Sequence, residues 1–504
     1  VKNMNHLAVL GTGSDVGKSI VAAALCRSLS DRRVDVAPFK AQNMSNNSGI
    51  TPEGLEMGRA QIVQSEAARL PPDTDMNPVL LKPTADKASQ VVVNGRVYED
   101  LSAVAYHKKN RYFFQQACAA FDRLSAKHDT IVLEGAGSCA EVNLMQTDIV
   151  NFRMAAYAGA DVVLVADIHK GGVFAQILGT LECLPATYRH MVKGFIVNRF
   201  RGDPELFTEG VDWIERTTGK PVFGVLPWYS HFRIDAEDSV EIENCPSIRS
   251  LAPDFPAVGV IRLPHISNFT DMHAISEIEG LQVAFVDQSE DLSVFKAVII
   301  PGSKSSREDM EWLEQSGIAD CIKRYVQSGG HVLGICGGYQ MLGKSIRDDH
   351  GVEGNPGSTK GLGLLNIETT MSQEKTTTRS TFEWDGIQGK GYEIHMGETR
   401  SEDPRYWLTV RERNKRKITE TEGSVSADGK VAGTYIHGLF DTPAILQKWL
   451  AQIGITDIKM PKGQNQWGRD EVYDLLKTHF EEYIDVNRLI ETETEAENRN
   501  SGKE

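Results

Sequence analysis

The chain lacks any paired-cysteine pattern. Its seven cysteines, Cys26, Cys118, Cys139, Cys183, Cys245, Cys321 and Cys336, are scattered, odd in number and never in CxxC spacing. That argues against a disulfide framework or a zinc site and for reduced thiols, so a cytoplasmic protein is expected. Long apolar runs are missing as well, and the opening residues Val1-Lys2-Asn3-Met4-Asn5-His6 do not read as a signal peptide. No membrane association is expected. Basic excess is absent too: 54 Lys and Arg against 69 Asp and Glu leave a net charge of -15. Non-specific nucleic-acid binding is therefore not expected, although a local basic pocket for an anionic small molecule remains open. The sequence shows no internal repeat.

What is present is an ordinary globular composition, 40% hydrophobic and 24% charged over 504 residues. This length calls for more than one domain. The first half alternates short apolar runs with helical patterns, as a parallel sheet flanked by helices does. Expected strands are Leu7–Leu10, Val34–Ala37, Thr130–Leu133, Asp161–Ala166, Gly194–Val197 and Val222–Leu226. A polar, proline-bearing stretch over 239–256 reads as a linker. A second alternation follows at Ala257–Leu263, Gln282–Val286, Ala297–Ile300 and His331–Gly334. We expect an α/β chain with one domain over 1–240, another over 255–450 and a polar extension over 451–504. The extension holds one amphipathic helix, Asp470–Ile484, and an acidic tail from Glu491 that is too poor in apolar residues to pack.

The segment Gly334-Ile335-Cys336-Gly337-Gly338-Tyr339-Gln340 has the form of a nucleophile elbow. A buried strand ends, the backbone turns sharply, and a helix begins near Tyr339. Glycines flank the turn because side chains there would block it or the approaching substrate. A thiol at a helix N-terminus is favoured as thiolate. A distant histidine can complete a nucleophile–base pair, and His437 in Tyr435-Ile436-His437-Gly438 is the candidate. The competing reading is a buried structural cysteine in a glycine-rich turn.

The second chemical segment is Gly11-Thr12-Gly13-Ser14-Asp15-Val16-Gly17-Lys18-Ser19, between the strand Leu7–Leu10 and a helix over Ile20–Leu29. Loop amides can cradle phosphates at the helix start, Lys18 can reach the terminal phosphates, and Ser19 can bind Mg²⁺. The strict phosphate-loop motif has glycine where Thr12 stands, so this loop is a variant. ATP binding is expected. Glu134, ending Ile131-Val132-Leu133, either holds Mg²⁺ opposite Ser19 or faces water. Asn198, after Phe195-Ile196-Val197, reads the purine edge or is a plain turn asparagine. Asp167 stands where open α/β sheets bind ligands, or caps a helix.

Together these pieces resemble the cobyric acid synthases, glutamine-dependent amidases of corrinoid biosynthesis, from about Leu7 to about Asp441. The N-terminal half is similar to dethiobiotin synthetases, which share the loop form. The C-terminal half resembles class I glutamine amidotransferases of the cobyric/cobyrinic type. Matching segments include Pro38–Asn47, Met76–Pro83, Gly171–Ala175, Ile266–Asp271, Pro301–Lys304, Gly391–His395 and His437–Asp441. The resemblance implies a P-loop NTPase-like domain followed by an amidotransferase domain. It implies transfer of glutamine-derived ammonia onto the b, d, e and g carboxylates of adenosylcobyrinic acid a,c-diamide, with ATP and Mg²⁺. Implied partners are the corrinoid, ATP and glutamine; a homo-oligomer is left open. Lys40 matches a substrate-site lysine of the dethiobiotin synthetase type, the competing reading being an exposed lysine. Gly302, Ser303 and Gly337 would supply the oxyanion-binding N–H groups. Most class I glutaminases carry glutamate two residues after the histidine, where this chain has Leu439. The cobyric type shares that gap, so Cys336 and His437 are expected to act as a dyad. His395 and Glu393 are candidate helpers of His437, a structural role being the favoured reading for both.

The nearest rival is cobyrinic acid a,c-diamide synthase; the Lys40–Asn47 and Met76–Pro83 segments favour the cobyric type. From a different class, a partitioning ATPase of the ParA/MinD type would carry an early signature lysine in the loop. Residues 11–17 contain none. A scaffold with a dead glutaminase half is opposed by the intact Cys336 and His437.

Overall fold

The computed structural model describes residues 5–85, 88–229, 247–403, 405–456 and 469–491. Runs such as Leu7-Ala8-Val9-Leu10 are buried at every position, as strands covered on both faces by helices must be. They assemble a six-stranded parallel sheet in the order Val222–Pro227, Val192–Phe200, Asp161–Asp167, Leu7–Gly11, Thr130–Glu134, Val36–Phe39. All six expected strands are present. The strand expected at Val34–Ala37 is displaced to Val36–Phe39 and includes Pro38. It lies at the sheet edge, where the missing N–H of proline is tolerated.

A second sheet runs Gln282–Val286, Ala257–Ile261, Ala297–Ile300, His331–Ile335, Val431–Thr434, with Ser424–Val425 antiparallel at the end. Between its fourth and fifth strands the chain builds a mixed, mainly antiparallel sheet dominated by the hairpin Ile367–Trp384 and Ile387–Ser401. In the first half, the strand Gln42–Met44 joins Val79–Ala85, Ala88–Val93 and Arg96–Ser102 in a separate four-stranded sheet. A short hairpin, Ser48–Ile50 with Glu56–Gly58, projects toward the second half. Both large sheets point the C-terminal ends of their strands at loops that carry the candidate site residues.

The linker expected over 239–256 falls outside the described residues up to 246, and so does the tail beyond Glu491. Residues just past 450 complete the second core, with Ile453 and Ile455 buried in it. The expected amphipathic helix forms at Arg469–Tyr483 and returns to the first sheet. Tyr473, Leu476 and Phe480 bury against the helix Lys18–Asp31 and its neighbours. Arg27, wholly buried, reaches across to Asp470 at 3.0 Å and Asp474 at 2.7 Å. Both aspartates are largely exposed, so screening weakens the ion pairs and the buried guanidinium contributes mainly by packing and hydrogen bonding. Arg27→Ala should therefore destabilise the fold by about 2–4 kcal/mol. Urea unfolding reads the loss, and faster amide exchange across Arg469–Tyr483 locates it; an unchanged midpoint would refute this account of the docking.

Candidate active site

The strand His331–Ile335 delivers Cys336 in a left-handed conformation, φ 53 and ψ -107, before the short helix Gly337–Met341. Such a backbone costs of order 1–3 kcal/mol for a non-glycine residue. The flanking glycines have a direct steric cause. A Cβ on Gly338 would lie 1.9 Å from Ile300 O, and one on Gly337 would lie 2.8 Å from Ser303 N. Gly334 is equally pressed, its Cβ position 2.7 Å from the Gly338 backbone.

His437 follows the neighbouring strand Val431–Thr434 and is completely buried. Its backbone exchanges hydrogen bonds with Tyr392, whose ring stacks on the imidazole at 5.3 Å. Burial lowers the His437 pKa, but the Asp271 carboxylate and the nearby Cys336 outweigh it and push the value up to about 10. Asp271 Oδ2 lies 2.7 Å from His437 Nδ1, and Asp271 Oδ1 accepts from Gly438 N at 2.7 Å. The pair expected from sequence thus has a third member. The acid comes from the other side of the site, immediately after the first strands of the second domain.

The Gly302–Ser303 strand pairs with Ile266–Ser267, and a Cβ on Gly302 would stand 3.1 Å from His437 Cε1. Gly302, Ser303, Gly337 and His437 therefore converge. Ser303 Oγ donates to Asp309 Oδ2 at 2.6 Å, which fixes the turn. Gln340 sits beside the elbow with Nε2 on Tyr435 OH at 3.3 Å, while its Oε1 is buried without a hydrogen-bond partner. Glu393 is engaged by Ser380 at 2.6 Å and Arg413 at 3.1 Å, a structural arrangement.

In the first domain, Lys18 curls over the loop and donates to Gly13 O at 3.0 Å and Gly137 O at 2.9 Å. Gly17 has φ 93, and a Cβ there would collide with Asn198 Nδ2 at 2.1 Å. Thr12 fits the variant loop by bonding Val165 O through its N–H at 3.0 Å. Asp15 pairs with Arg199 at 2.8 Å, and Ser14 is exposed at the tip. Asn198 donates to Val16 O at 2.8 Å and accepts from Arg199 N at 2.8 Å. Both ends of its amide brace the loop, so contact with a purine requires one of them to let go. Asp167 accepts from His169 N at 2.7 Å in the turn and pairs with Arg199 at 3.1 Å. The helix Val173–Cys183 that follows is N-capped by Gly172 without a side-chain bond, so Asp167 caps no helix.

Glu134 is the hub. Its Oε1 accepts from Ser19 Oγ at 2.7 Å and Lys40 Nζ at 3.0 Å. Its Oε2 accepts from Gln64 at 2.5 Å and Gln61 at 3.3 Å. Burial raises the Glu134 pKa, but Lys40, Gln64 and Ser19 overcome it and hold the carboxylate below its ordinary range. Lys40 is buried, so the exposed-lysine reading is excluded.

Two family descriptions match the chain: a CobQ/CobB/MinD/ParA nucleotide binding domain over residues 7–241, and a CobB/CobQ-like glutamine amidotransferase domain over 257–445. The chain is 49% identical over 495 residues to a cobyric acid synthase of Chlorobium chlorochromatii, with 97% of each chain covered. The chain belongs to the cobyric acid synthase family. A second cobyric acid synthase, from Chlorobaculum tepidum, is 48% identical over 492 residues, again covering 97% of each chain. Among solved structures, a glutamine amidotransferase aligns at 21% identity and a TM-score of 0.29, covering 39% of this chain and 98% of that one. That similarity is distant, and membership rests on the sequence relatives.

As a cobyric acid synthase family member, the protein is a glutamine-dependent amide-forming ligase of α/β architecture. A partitioning ATPase is excluded by the amidotransferase domain and by relatives that match along the whole chain. Sequence reasoning missed Asp271, Gln61 and Gln64. Asp271 ends the matching segment Ile266–Asp271, the one local signal that marks it, whereas the acid of most class I glutaminases follows the histidine by two residues, at the position of Leu439. Leu439 is buried and apolar. Among the described residues no helix is long and apolar enough to cross a membrane.

Proposed function

We propose that the protein uses ATP and glutamine to amidate the b, d, e and g carboxylates of adenosylcobyrinic acid a,c-diamide, giving adenosylcobyric acid. The observation that carries this reading is the similarity to curated cobyric acid synthases along 97% of the chain, with both half-sites intact.

A carboxylate resists ammonia because its leaving group would be oxide. Transfer of the γ-phosphoryl group of ATP to a carboxylate oxygen gives an acyl phosphate and ADP. Ammonia then attacks the acyl carbon, and phosphate leaves with the C–O bond pair. Phosphoryl transfer needs positioning and charge neutralisation more than covalent help. Lys18 and the amides of the Gly11–Ser19 loop suit the phosphates. Ser19 and Glu134, with oxygens 2.7 Å apart, fit Mg²⁺, which takes a few protein oxygens alongside phosphate and water. Bound there, Mg²⁺ would neutralise charge on the nucleotide. Lys40, beside Glu134 at 3.0 Å, is positioned to stabilise the substrate carboxylate or its acyl phosphate.

In the second domain, Cys336 Sγ attacks the glutamine amide carbon after its proton passes to His437 Nε2. The oxyanion is received by N–H groups of Gly302, Ser303 or Gly337. His437 returns the proton to nitrogen, ammonia leaves, and a thioester remains. Water, deprotonated by His437, then cleaves the thioester to glutamate and restores Cys336. The unpartnered Oε1 of Gln340 suits a donor on the bound glutamine.

Mass spectrometry of products formed with glutamine, ATP and Mg²⁺ tests the substrate assignment. Adenosylcobyrinic acid a,c-diamide should progress stepwise to the fully amidated b, d, e and g product. Turnover of cobyrinic acid alone, stopping at the a,c-diamide, would instead assign the other synthase.

A further inference from the structure

Asn268 stands between the two domains with one end of its amide on each. Its Oδ1 accepts from Ser48 N of the first domain at 3.0 Å, and its Nδ2 lies 3.1 Å from His437 Nε2. This orientation follows from donor chemistry. A backbone N–H can only donate, so the amide oxygen faces Ser48 and the nitrogen faces the ring. His437 Nδ1 meets the Asp271 carboxylate, an acceptor, and therefore carries a proton. In the neutral ring His437 Nε2 offers its lone pair to the Asn268 amide, a contact that counters the pull of Asp271 and Cys336 toward the charged form. That is the lone pair needed to take the proton of Cys336.

We propose that Asn268 is a positioning residue through which the ATP-binding domain holds the glutaminase base at rest. While Ser48 N occupies Oδ1, Nδ2 occupies His437 Nε2. When Ser48 withdraws, the amide is free to turn and present its oxygen to the protonated ring, which stabilises the Cys336 thiolate. Asp271 and Cys336 draw His437 toward the charged form against its burial, so an amide donor at Nε2 opposes them and an amide oxygen reinforces them. Tyr392, stacked on the ring, adds no charge. The proposal rests on the Cys336–His437 reading given above.

A continuous set of contacts links Asn268 to the phosphate site. Ser48 lies opposite Gly58 in the short hairpin, and Gly58 is the N-cap of the helix Arg59–Ala67. Arg59 N also donates to Asn47 O at 3.1 Å. Gln61 and Gln64 of that helix hold Glu134 Oε2, and Glu134 Oε1 holds Ser19 and Lys40. On the other side, Thr270, next to Asp271, donates to Asn47 Oδ1 at 3.3 Å. Asn47, Ser48, Gln61, Gln64 and Asn268 are all buried, so no solvent cushions a displacement. A change of partners at Glu134 on nucleotide binding shifts this helix, and with it Ser48. Glutamine is then consumed only when a carboxylate can be activated.

Asn268→Gly is the informative variant, because the residue has φ 50 and ψ 41 and glycine keeps that backbone while deleting the amide. Its glutaminase rate without ATP or corrinoid should rise about tenfold, the size expected for one hydrogen bond to an ionisable group. Alkylation of Cys336 by iodoacetamide should quicken with Mg²⁺ and a non-hydrolysable ATP analogue in the unaltered protein, and be fast and indifferent to nucleotide in the variant. Asn268→Asp, which sets a carboxylate oxygen near Nε2, should also alkylate fast without nucleotide. A slower Asn268→Gly glutaminase with its nucleotide response intact would overturn the proposal, as would an unaltered protein whose alkylation ignores nucleotide. Cys336→Ala separates the two levels: glutamine hydrolysis surviving in it would overturn the glutaminase reading itself, whereas its loss leaves the Asn268 results to decide the switch alone.

Discussion

Cys336→Ala is expected to lower glutamine-dependent amide formation by about 10⁴-fold or more while leaving synthesis from ammonium salts near its original rate. The size of the effect follows from the role. No other side chain at the elbow can form the thioester, since the neighbouring residues are Ile335 and Gly337. Folding should not confound the result. Alanine tolerates φ 53 no worse than cysteine does, and removing one sulfur opens a void costing only about 1 kcal/mol. The ammonia-driven activity is expected to survive because the proposed activation of the carboxylate rests on Lys18, Ser19, Lys40 and Glu134, all in the other domain. Assaying both nitrogen sources at alkaline pH, where more ammonia is unprotonated, separates the two half-reactions. Loss of both activities would show that the division of labour between the domains is wrong.

Much of this architecture is legible in the sequence because burial writes itself as local pattern. Runs such as Val162–Ala166 and Ala297–Ile300 are apolar on both faces, and a strand buried between helices has no other way to look. The elbow and the phosphate loop are legible for a related reason. Each demands glycines at fixed spacing, since Gly338 would otherwise press on Ile300 O and Gly17 on Asn198. What the sequence hides is long-range pairing. Asp271 and His437 are separated by 166 positions, and nothing local distinguishes a buried acid that will meet an imidazole from one that caps a turn. Gln61 and Gln64 are hidden differently. They are polar residues on a helix, which normally marks a solvated face, yet both are buried around Glu134. The docking of Arg469–Tyr483 combines both cases. Its apolar spacing is readable, but its partner Arg27 lies more than 440 positions earlier.

Asp271→Asn should reduce glutamine-dependent turnover nearly as severely as loss of the nucleophile, and the argument turns on a single proton. Asp271 Oδ1 accepts from Gly438 N and Oδ2 accepts from His437 Nδ1, each at 2.7 Å. Asparagine is the same size but has only one acceptor end. Gly438 N can only donate, so it claims the amide oxygen and leaves the NH₂ group facing His437 Nδ1. The ring must then place its proton on Nε2, and Nε2 can no longer take the proton of Cys336. The corresponding tautomer inversion in a serine protease triad costs about 10⁴-fold in kcat, and a comparable loss is expected here. The KM for glutamine should move little, because the residues around the substrate are untouched, and synthesis from ammonium should be unaffected. If Asp271 served only to hold the Gly438 turn, asparagine would serve equally well through its oxygen, and a loss of less than tenfold would assign it that role. A split with kcat alone collapsing identifies Asp271 as the group that sets the tautomer of His437, which Leu439, in the position where other glutaminases carry their acid, cannot do.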